Sequence, residues 1–227
     1  VAEQVRFVLP YTLQLTSASV LIGIILGVPL GILTALRRNS AVDYIGRTFS
    51  LFGLSVPAFY LGILLLLLFA VGLGWFPVVG GGEQGDPRSL IYHLVLPATT
   101  LGLIMTSYLT RFSRSAMLNV MGEDYVRTAR SKGLSERVVM VRHALRTALI
   151  PIMSVIGILT VILIGSSVMT EIVFSRPGLG KLMVGAMKQR DYTMLQSVMV
   201  VYALIIVLIN VAVDVLYSIV DPRVRYD

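Results

Sequence analysis

The amino-acid sequence predicts an all-α, polytopic membrane fold. Five apolar stretches, over residues 13–36, 49–73, 89–110, 147–170 and 193–213, each reach the roughly 20 residues that a helix needs to cross a hydrocarbon core about 30 Å thick. The 227 residues are 56% hydrophobic and 14% charged, with a mean hydropathy of +0.85. That is more apolar surface than a soluble core of this size can hide. Alternating strands of about ten residues, which a transmembrane barrel requires, do not occur, so helices must satisfy the backbone within the bilayer.

The first stretch carries Gly23, Gly27 and Gly31 at four-residue spacing, a stripe on which a neighbouring backbone can approach closely. The stripe reads as helix packing or as a contact that moves, and Pro29 is placed to bend the helix. The second stretch has Pro57 near its start and ends in Trp75-Phe76-Pro77, an aromatic anchor at the membrane boundary. The glycine-rich run from Gly80 to Gly85 then reads as a flexible loop.

The third stretch places hydroxyls at Thr99, Thr100, Thr106, Ser107, Tyr108 and Thr110. Inside a bilayer such groups face protein or water, so this helix either bonds its neighbours or lines a solvated path. The fifth presents Asn210 and Asp214 one turn apart, followed by Tyr217 and a closing Asp221-Pro222-Arg223. The carboxylate has a structural reading close to the boundary and a functional one as an intramembrane charge.

The net charge of +7 sorts by side. Arg37, Arg38 and Arg47 lie between stretches one and two. Arg111, Arg114, Arg127, Arg130, Lys132, Arg137, Arg142 and Arg146 lie between three and four, and Arg223 and Arg225 follow five. The remaining loops are poorer in Lys and Arg, so the positive-inside rule puts this side and the C-terminus in the cytoplasm and Val1 outside. Five spans with an external start imply a sixth, leading helix, and the first residues lack the order of a signal peptide. Cysteine is absent, which excludes disulfides and thiolate metal sites.

The basic segment between stretches three and four reads as two short amphipathic helices broken at one glycine. Glu123 and Asp124 suit the positive end of the first helix, and Arg130 and Lys132 its last turn. Gly133 supplies a left-handed stop, and Ser135-Glu136 restarts a helix. Tyr125, Thr128, Ala129 and Lys132 share one face of the first helix, and Val138, Val141 and Leu145 one face of the second. On physics alone the pair could lie on anionic lipid.

Aligned on Gly133, the segment resembles the cytoplasmic loop of ATP-binding-cassette importer membrane subunits, which reads Glu-Ala-Ala, three residues, Gly, nine residues, Ile-x-Leu-Pro. Here the first three positions are Arg127-Thr128-Ala129 and the last are His143-Ala144-Leu145-Arg146, so the Glu, Ile and Pro of that pattern are missing. The departures are similar to the peptide and nickel permease subfamily, whose variant is matched by Asp124, Tyr125, Arg127, Thr128, Ala129, Lys132, Gly133, Leu134, His143, Ala144, Leu145, Arg146 and Pro151. The resemblance extends to Glu171-x-x-Phe174-x-x-Pro177-Gly178-Leu179-Gly180, to Arg190-Asp191-Tyr192 and to Asp221-Pro222-Arg223, in the order of a dipeptide permease of the B type.

The resemblance implies a type I ABC importer permease fold, one domain over residues 1–227 with a coupling-helix loop at 122–146. It implies a transport subunit of a bacterial plasma (inner) membrane that moves short peptides, or nickel and related small solutes, inward. ATPase coupling would rest on Asp124, Tyr125, Arg127, Thr128, Ala129, Lys132, Gly133 and Leu134. The implied partners are a second homologous permease, cytosolic ABC ATPase subunits, an extracytoplasmic substrate-binding protein and membrane lipid, with no nucleic acid and no cofactor.

Catalytic signatures do not assemble. Gly178-Leu179-Gly180-Lys181-Leu182 lacks the spacing and hydroxyl of a phosphate-binding loop, His93 and His143 lack a metalloprotease context, and Gly53-Leu54-Ser55-Val56 lacks the second glycine of a serine-nucleophile turn. The rival class is an autonomous channel or ion-coupled transporter working through Asp214, Asn210 and the hydroxyls of the third stretch. A structural membrane scaffold is a third.

Overall fold

The computed structural model describes residues 1–83 and 85–220. The Asp221-Pro222-Arg223 motif and the side chains of Asp214 and Tyr217 lie outside the described residues. Among the described residues eight helices follow one another: α1 (Ala2–Leu36), α2 (Ala41–Ser55), α3 (Ala58–Gly72), α4 (Pro87–Met121), α5 (Asp124–Ser131), α6 (Glu136–Val173), α7 (Leu179–Gln189) and α8 (Tyr192–Val220). No strand occurs among the described residues.

Helices α1, α4, α6 and α8 are each long and apolar enough to cross a membrane. The second predicted span is different. Instead of one helix over 49–73, the chain forms two arms, α2 and α3, bent by 103° and passing the same test only together. Pro57 is the cause. It has no N–H to continue α2 and forces the preceding Val56 out of the helical region, to φ −93° and ψ 123°. Pro57 itself, at ψ 138°, then starts α3 by accepting the Leu61 N–H at 3.0 Å. A cavity of about 300 Å³ opens at this break, lined by Ser55, Pro57, Tyr108 and Ser166 among others.

Helix α4 is the axis of the bundle, packed against α1, α2, α3 and α6. It begins with the Asp86 carboxylate accepting the Arg88 N–H at 2.9 Å and Pro87 in the first turn, a start that uses an acceptor where free N–H groups collect. The glycine stripe of α1 lies on it. A Cβ added at Gly23, Gly27 or Gly31 would come within 2.5 Å of Met105, 2.8 Å of Leu109 and 2.6 Å of Ser113, respectively. The packing reading of the stripe therefore holds. Between Gly23 and Gly27 the helix widens into a π turn just ahead of Pro29, whose ring leaves the Ile25 carbonyl without its usual donor.

Four of the six hydroxyls singled out on α4 are turned into the bundle. Thr100, Thr106, Ser107 and Thr110 are buried against neighbouring helices, and the first three bond carbonyls of their own helix, at Leu96 (2.8 Å), Gly102 (2.7 Å) and Leu103 (3.0 Å). Such back-bonding satisfies the hydroxyl within the helix. Thr99 is half-buried, and Tyr108 is exposed and faces the cavity at the helix break.

At the end of the bundle away from the basic loops, three helices are tied by one buried carboxylate. Glu171 accepts hydrogen bonds from the Thr12 hydroxyl at 2.7 Å and from the Lys181 N–H at 3.0 Å, while Thr12 Oγ1 accepts the Leu179 N–H at 2.8 Å. The carboxylate thus sits on the N-terminus of α7, where free N–H groups and the helix dipole favour an anion. Arg176, also fully buried, donates to Gln14 Oε1 at 3.2 Å and stacks over the Tyr11 ring at 5.2 Å. Burial pushes its guanidinium below its ordinary pKa. The glycine-rich loop expected to be flexible is fastened here, through Gly80 N–H to the Phe174 carbonyl (3.0 Å) and Gly81 packed between Pro177 and Tyr11. Trp75 is exposed as an anchor should be, and its carbonyl accepts the Tyr92 hydroxyl.

The close approach at this tie gives a direct test. A Cβ at Gly178 would fall 2.1 Å from the Glu171 carboxyl carbon, whereas one at Gly165, on α6, meets nothing within 4 Å. Gly178→Ala is expected to destabilise the purified protein by about 1–3 kcal/mol, as overpacking does. Gly165→Ala should be neutral or stabilising by up to about 1 kcal/mol. Thermal unfolding in detergent checks the pair, and equal midpoints would contradict the assigned packing.

Candidate functional site

The basic segment folds as a helix, a glycine turn and a second helix, as its sequence predicts, but the second helix is not a separate element. It is the first part of α6, which runs unbroken from Glu136 to Val173. The join is a π turn over Val139–Leu145. The extra residue in that turn rotates the helix face, and the side chains turned inward are Val139, Met140 and Ala144. Val138 and Val141, which share the apolar face read from the sequence, are exposed.

The first helix, α5, buries Val126 and Ala129. These two join the same apolar cluster as Met117 and Val120 of α4 and Val139, Met140 and Ala144 of α6. Completely burying a valine is worth about 1.5–3 kcal/mol. The inward face is therefore set by small apolar side chains, while Tyr125, Thr128 and Lys132, which share a face with Ala129, are exposed.

The turn itself is a left-handed glycine. Gly133 has φ +77°, its N–H bonds the Arg130 carbonyl at 2.9 Å, and no atom lies within 4 Å of where a Cβ would stand. Glycine is needed for backbone conformation, not for space. A second device closes the turn. Arg130 Nε and Nη2 donate to Glu136 Oε2 and Oε1 at 3.2 and 2.8 Å, a bidentate clasp from the last turn of α5 to the first of α6. The Glu136 carboxylate holds the Arg130 guanidinium above its ordinary pKa.

Of the eight residues the resemblance singles out, Asp124, Tyr125, Arg127, Thr128, Lys132, Gly133 and Leu134 are exposed on one continuous tip, and Ala129 is buried beneath it. The Arg127 side chain is 72% exposed and pairs loosely with Asp124 at 3.4 Å. The tip offers charges of both signs, a tyrosine and a leucine to solvent, with a rigid apolar underside.

Sequence reasoning missed a second node at this end of the bundle. Asp43, fully buried on α2, accepts Arg114 Nε and Nη2 from α4 at 2.6 and 2.9 Å, Arg47 from the next turn of α2, and the Asn39 N–H at 2.9 Å. Three residues donating five hydrogen bonds to one carboxylate lock the loop after α1, with Asn39 at φ +63°, onto the central helix. The i, i+4 spacing of Asp43 and Arg47 was legible, but their tertiary partner lies 71 residues away from Asp43. Among the described residues no three His, Cys, Asp or Glu side chains converge as a metal site requires.

Residues 27–226 match the family model described as "Binding-protein-dependent transport system inner membrane component". The chain is 42% identical over 231 residues to the oligopeptide transport system permease protein AppB of Bacillus subtilis (strain 168), covering 100% of this chain and 72% of that protein. It is 41% identical over 226 residues to the glutathione transport system permease protein GsiC of Salmonella typhi, with coverage of 100% and 72%. To the di/tripeptide transport system permease protein DppB of Pseudomonas aeruginosa (strain UCBPP-PA14) it is 41% identical over 238 residues, covering 96% and 71%.

Solved structures share the fold. An inward-facing form of the MetNI methionine ABC transporter superposes with a TM-score of 0.72 at 21% identity over 96% of both chains. An amino acid ABC transporter does so with a TM-score of 0.65 at 16% identity, over 98% of this chain and 95% of that one. Fold, family match and relatives agree: the chain belongs to the binding-protein-dependent transport system inner membrane components, multi-pass permease subunits of ATP-driven importers whose ATPase is a separate subunit.

Proposed function

We propose that this permease imports short peptides, and that the tip of α5, the Gly133 turn and the first residues of α6 seat in a cleft of a cytosolic ATPase subunit. The substrate class is supported by relatives named as oligopeptide, glutathione and di/tripeptide permeases. The basic tip and the C-terminus lie in the cytoplasm and Val1 outside, in keeping with the positive-inside distribution of Lys and Arg. A second, homologous permease completes the path, and an extracytoplasmic binding protein delivers the solute. Residues 122–146 form the coupling loop of a single permease domain, 1–227.

One observation carries this reading. The exposed tip rests on Val126 and Ala129, which share an apolar cluster with α4 and with the start of α6. A push on the tip therefore reaches two membrane-spanning helices through packed side chains. Close-packed interiors transmit such displacement because they are nearly incompressible. The ATPase then biases two packings of the bundle by binding one of them better. The cavity at the α2/α3 break, with Tyr108 and Ser55 at its wall, lies where backbone irregularity inside a membrane is tolerated beside a path.

Two variants test the coupling role. Gly133→Val imposes a left-handed backbone on a β-branched residue at a cost of at least about 1–2 kcal/mol, enough to weaken seating about 5- to 30-fold. Uptake in vesicles should fall while insertion and the bundle's stability persist, and Gly133→Asn, which tolerates the conformation better, should recover part of it. Wild-type uptake by Gly133→Val would count against the assignment.

Reversing charge at Arg127 or Lys132 should reduce co-purification of the ATPase subunit without reducing the amount of permease in the membrane, because both side chains are exposed outside the apolar spans. Equal co-purification would remove these residues from the contact.

A further inference from the structure

Beside the Asp43 node lies a basic cavity of about 300 Å³, lined by Arg47, Ser50, Thr110, Arg111, Arg114 and Ser115 among others. Arg47 and Arg114 each use Nε and Nη2 on Asp43, leaving Nη1 of both for another acceptor. Arg111 is exposed at the same cavity and has no ion-pair partner among the described residues. Three guanidinium groups thus face one carboxylate, and the surplus charge is positive. A second cavity, also about 300 Å³, adjoins it through the shared residues Gly46 and Thr110. Its wall is apolar, formed by Leu30, Val42, Ile45 and Phe49. The Thr110 hydroxyl, on the boundary of the two, is buried without a hydrogen-bond partner. A buried donor left unmade is costly, so an acceptor belongs there.

We propose that this double cavity binds an anionic phospholipid, its phosphate held by Arg47, Arg111 and Arg114 with the Thr110 hydroxyl, and an acyl chain laid along the apolar compartment. Charge complementarity selects the headgroup, since basic pockets between transmembrane helices at the membrane surface suit lipid phosphates. Arginine suits it further, because its planar fork matches phosphate oxygens in pairs. The apolar compartment distinguishes a lipid from a free anion. The site requires neither nucleotide nor transported solute, so it stands or falls separately from the coupling role of the hairpin. Its physical consequence is a bound lipid that neutralises the surplus charge next to the clasp joining α2 to α4.

The test is native mass spectrometry of the assembled transporter released from nanodiscs made of equal parts phosphatidylglycerol and phosphatidylcholine. The wild type should retain phosphatidylglycerol preferentially. Arg111→Gln should lower that retention about fivefold, the effect of one basic residue near a membrane surface. Arg88→Gln, which removes a charge at the opposite end of α4, should leave it unchanged. Thr110→Val, which keeps the shape and deletes the hydroxyl, should give a smaller loss and serves if Arg111→Gln does not assemble. Equal losses for Arg88→Gln and the pocket variants, or none for the pocket variants, would overturn the site. Inorganic phosphate at millimolar concentration is the second arm: lipid that stays bound supports the double cavity, and lipid displaced by phosphate alone makes it a simple anion site and overturns the proposal. Unchanged lipid retention with impaired peptide uptake in Arg111→Gln would assign the pocket to the solute instead, which also overturns it.

Discussion

Two small side chains under the hairpin, Val126 and Ala129, fasten its tip to the bundle. They are buried in the same cluster as Met117 and Val120 near the end of α4 and Val139, Met140 and Ala144 at the start of α6. Without that contact the tip would be a polar appendage attached by two short linkers. With it, α5 is a plate lying on the ends of two membrane-crossing helices. The Arg130–Glu136 clasp and the left-handed Gly133 keep the angle between plate and helix fixed.

The rest of the bundle is tied together at several separate points. Along its length, α1 lies against α4 through three glycines that bring the backbones together. At the hairpin end, Asp43 binds α2 and the loop after α1 to Arg114 of α4. At the other end, Glu171 and Thr12 hold α1, α6 and the N-terminus of α7. Both carboxylates are fully buried, and each is surrounded by donors from different elements. Removing one partner from such a group costs more than the group's net contribution, so these ties resist gradual loosening. The helical backbone itself is interrupted elsewhere, at the 103° break between α2 and α3, where Pro57 lacks an N–H beside a cavity.

Local chemistry made much of this legible in the sequence. Length and hydropathy locate α1, α4, α6 and α8, four-residue glycine spacing marks the α1 contact face, and Gly133 marks the turn. The differences arise where a local backbone detail or a distant partner overrides the hydropathy pattern. The apolar run through 49–73 hides a break, because hydropathy does not register the missing N–H of Pro57. The buried face at the start of α6 is not legible in the sequence, because a π turn at Val139–Leu145 shifts the register of a helix that continues into a span. The hydroxyls of α4 leave interhelical bonding and a wet path both open in the sequence, and three of them bond their own backbone, an outcome available to any Ser or Thr in a helix. Asp43 and Glu171 were legible as charges, but not as nodes, since their partners come from distant parts of the chain. The exposed tip was read from motif spacing, and its buried support, Val126, was not.

The most direct test of the central claim uses the absence of cysteine in the chain. A single cysteine introduced at Leu134, exposed at the apex of the turn, can be cross-linked within the assembled transporter. The account predicts a nucleotide-dependent link to the ATPase subunit, in high yield in one nucleotide state and reduced in the other. A Leu134→Cys variant that never links to the ATPase, and is labelled instead by a probe confined to the lipid phase, would contradict it.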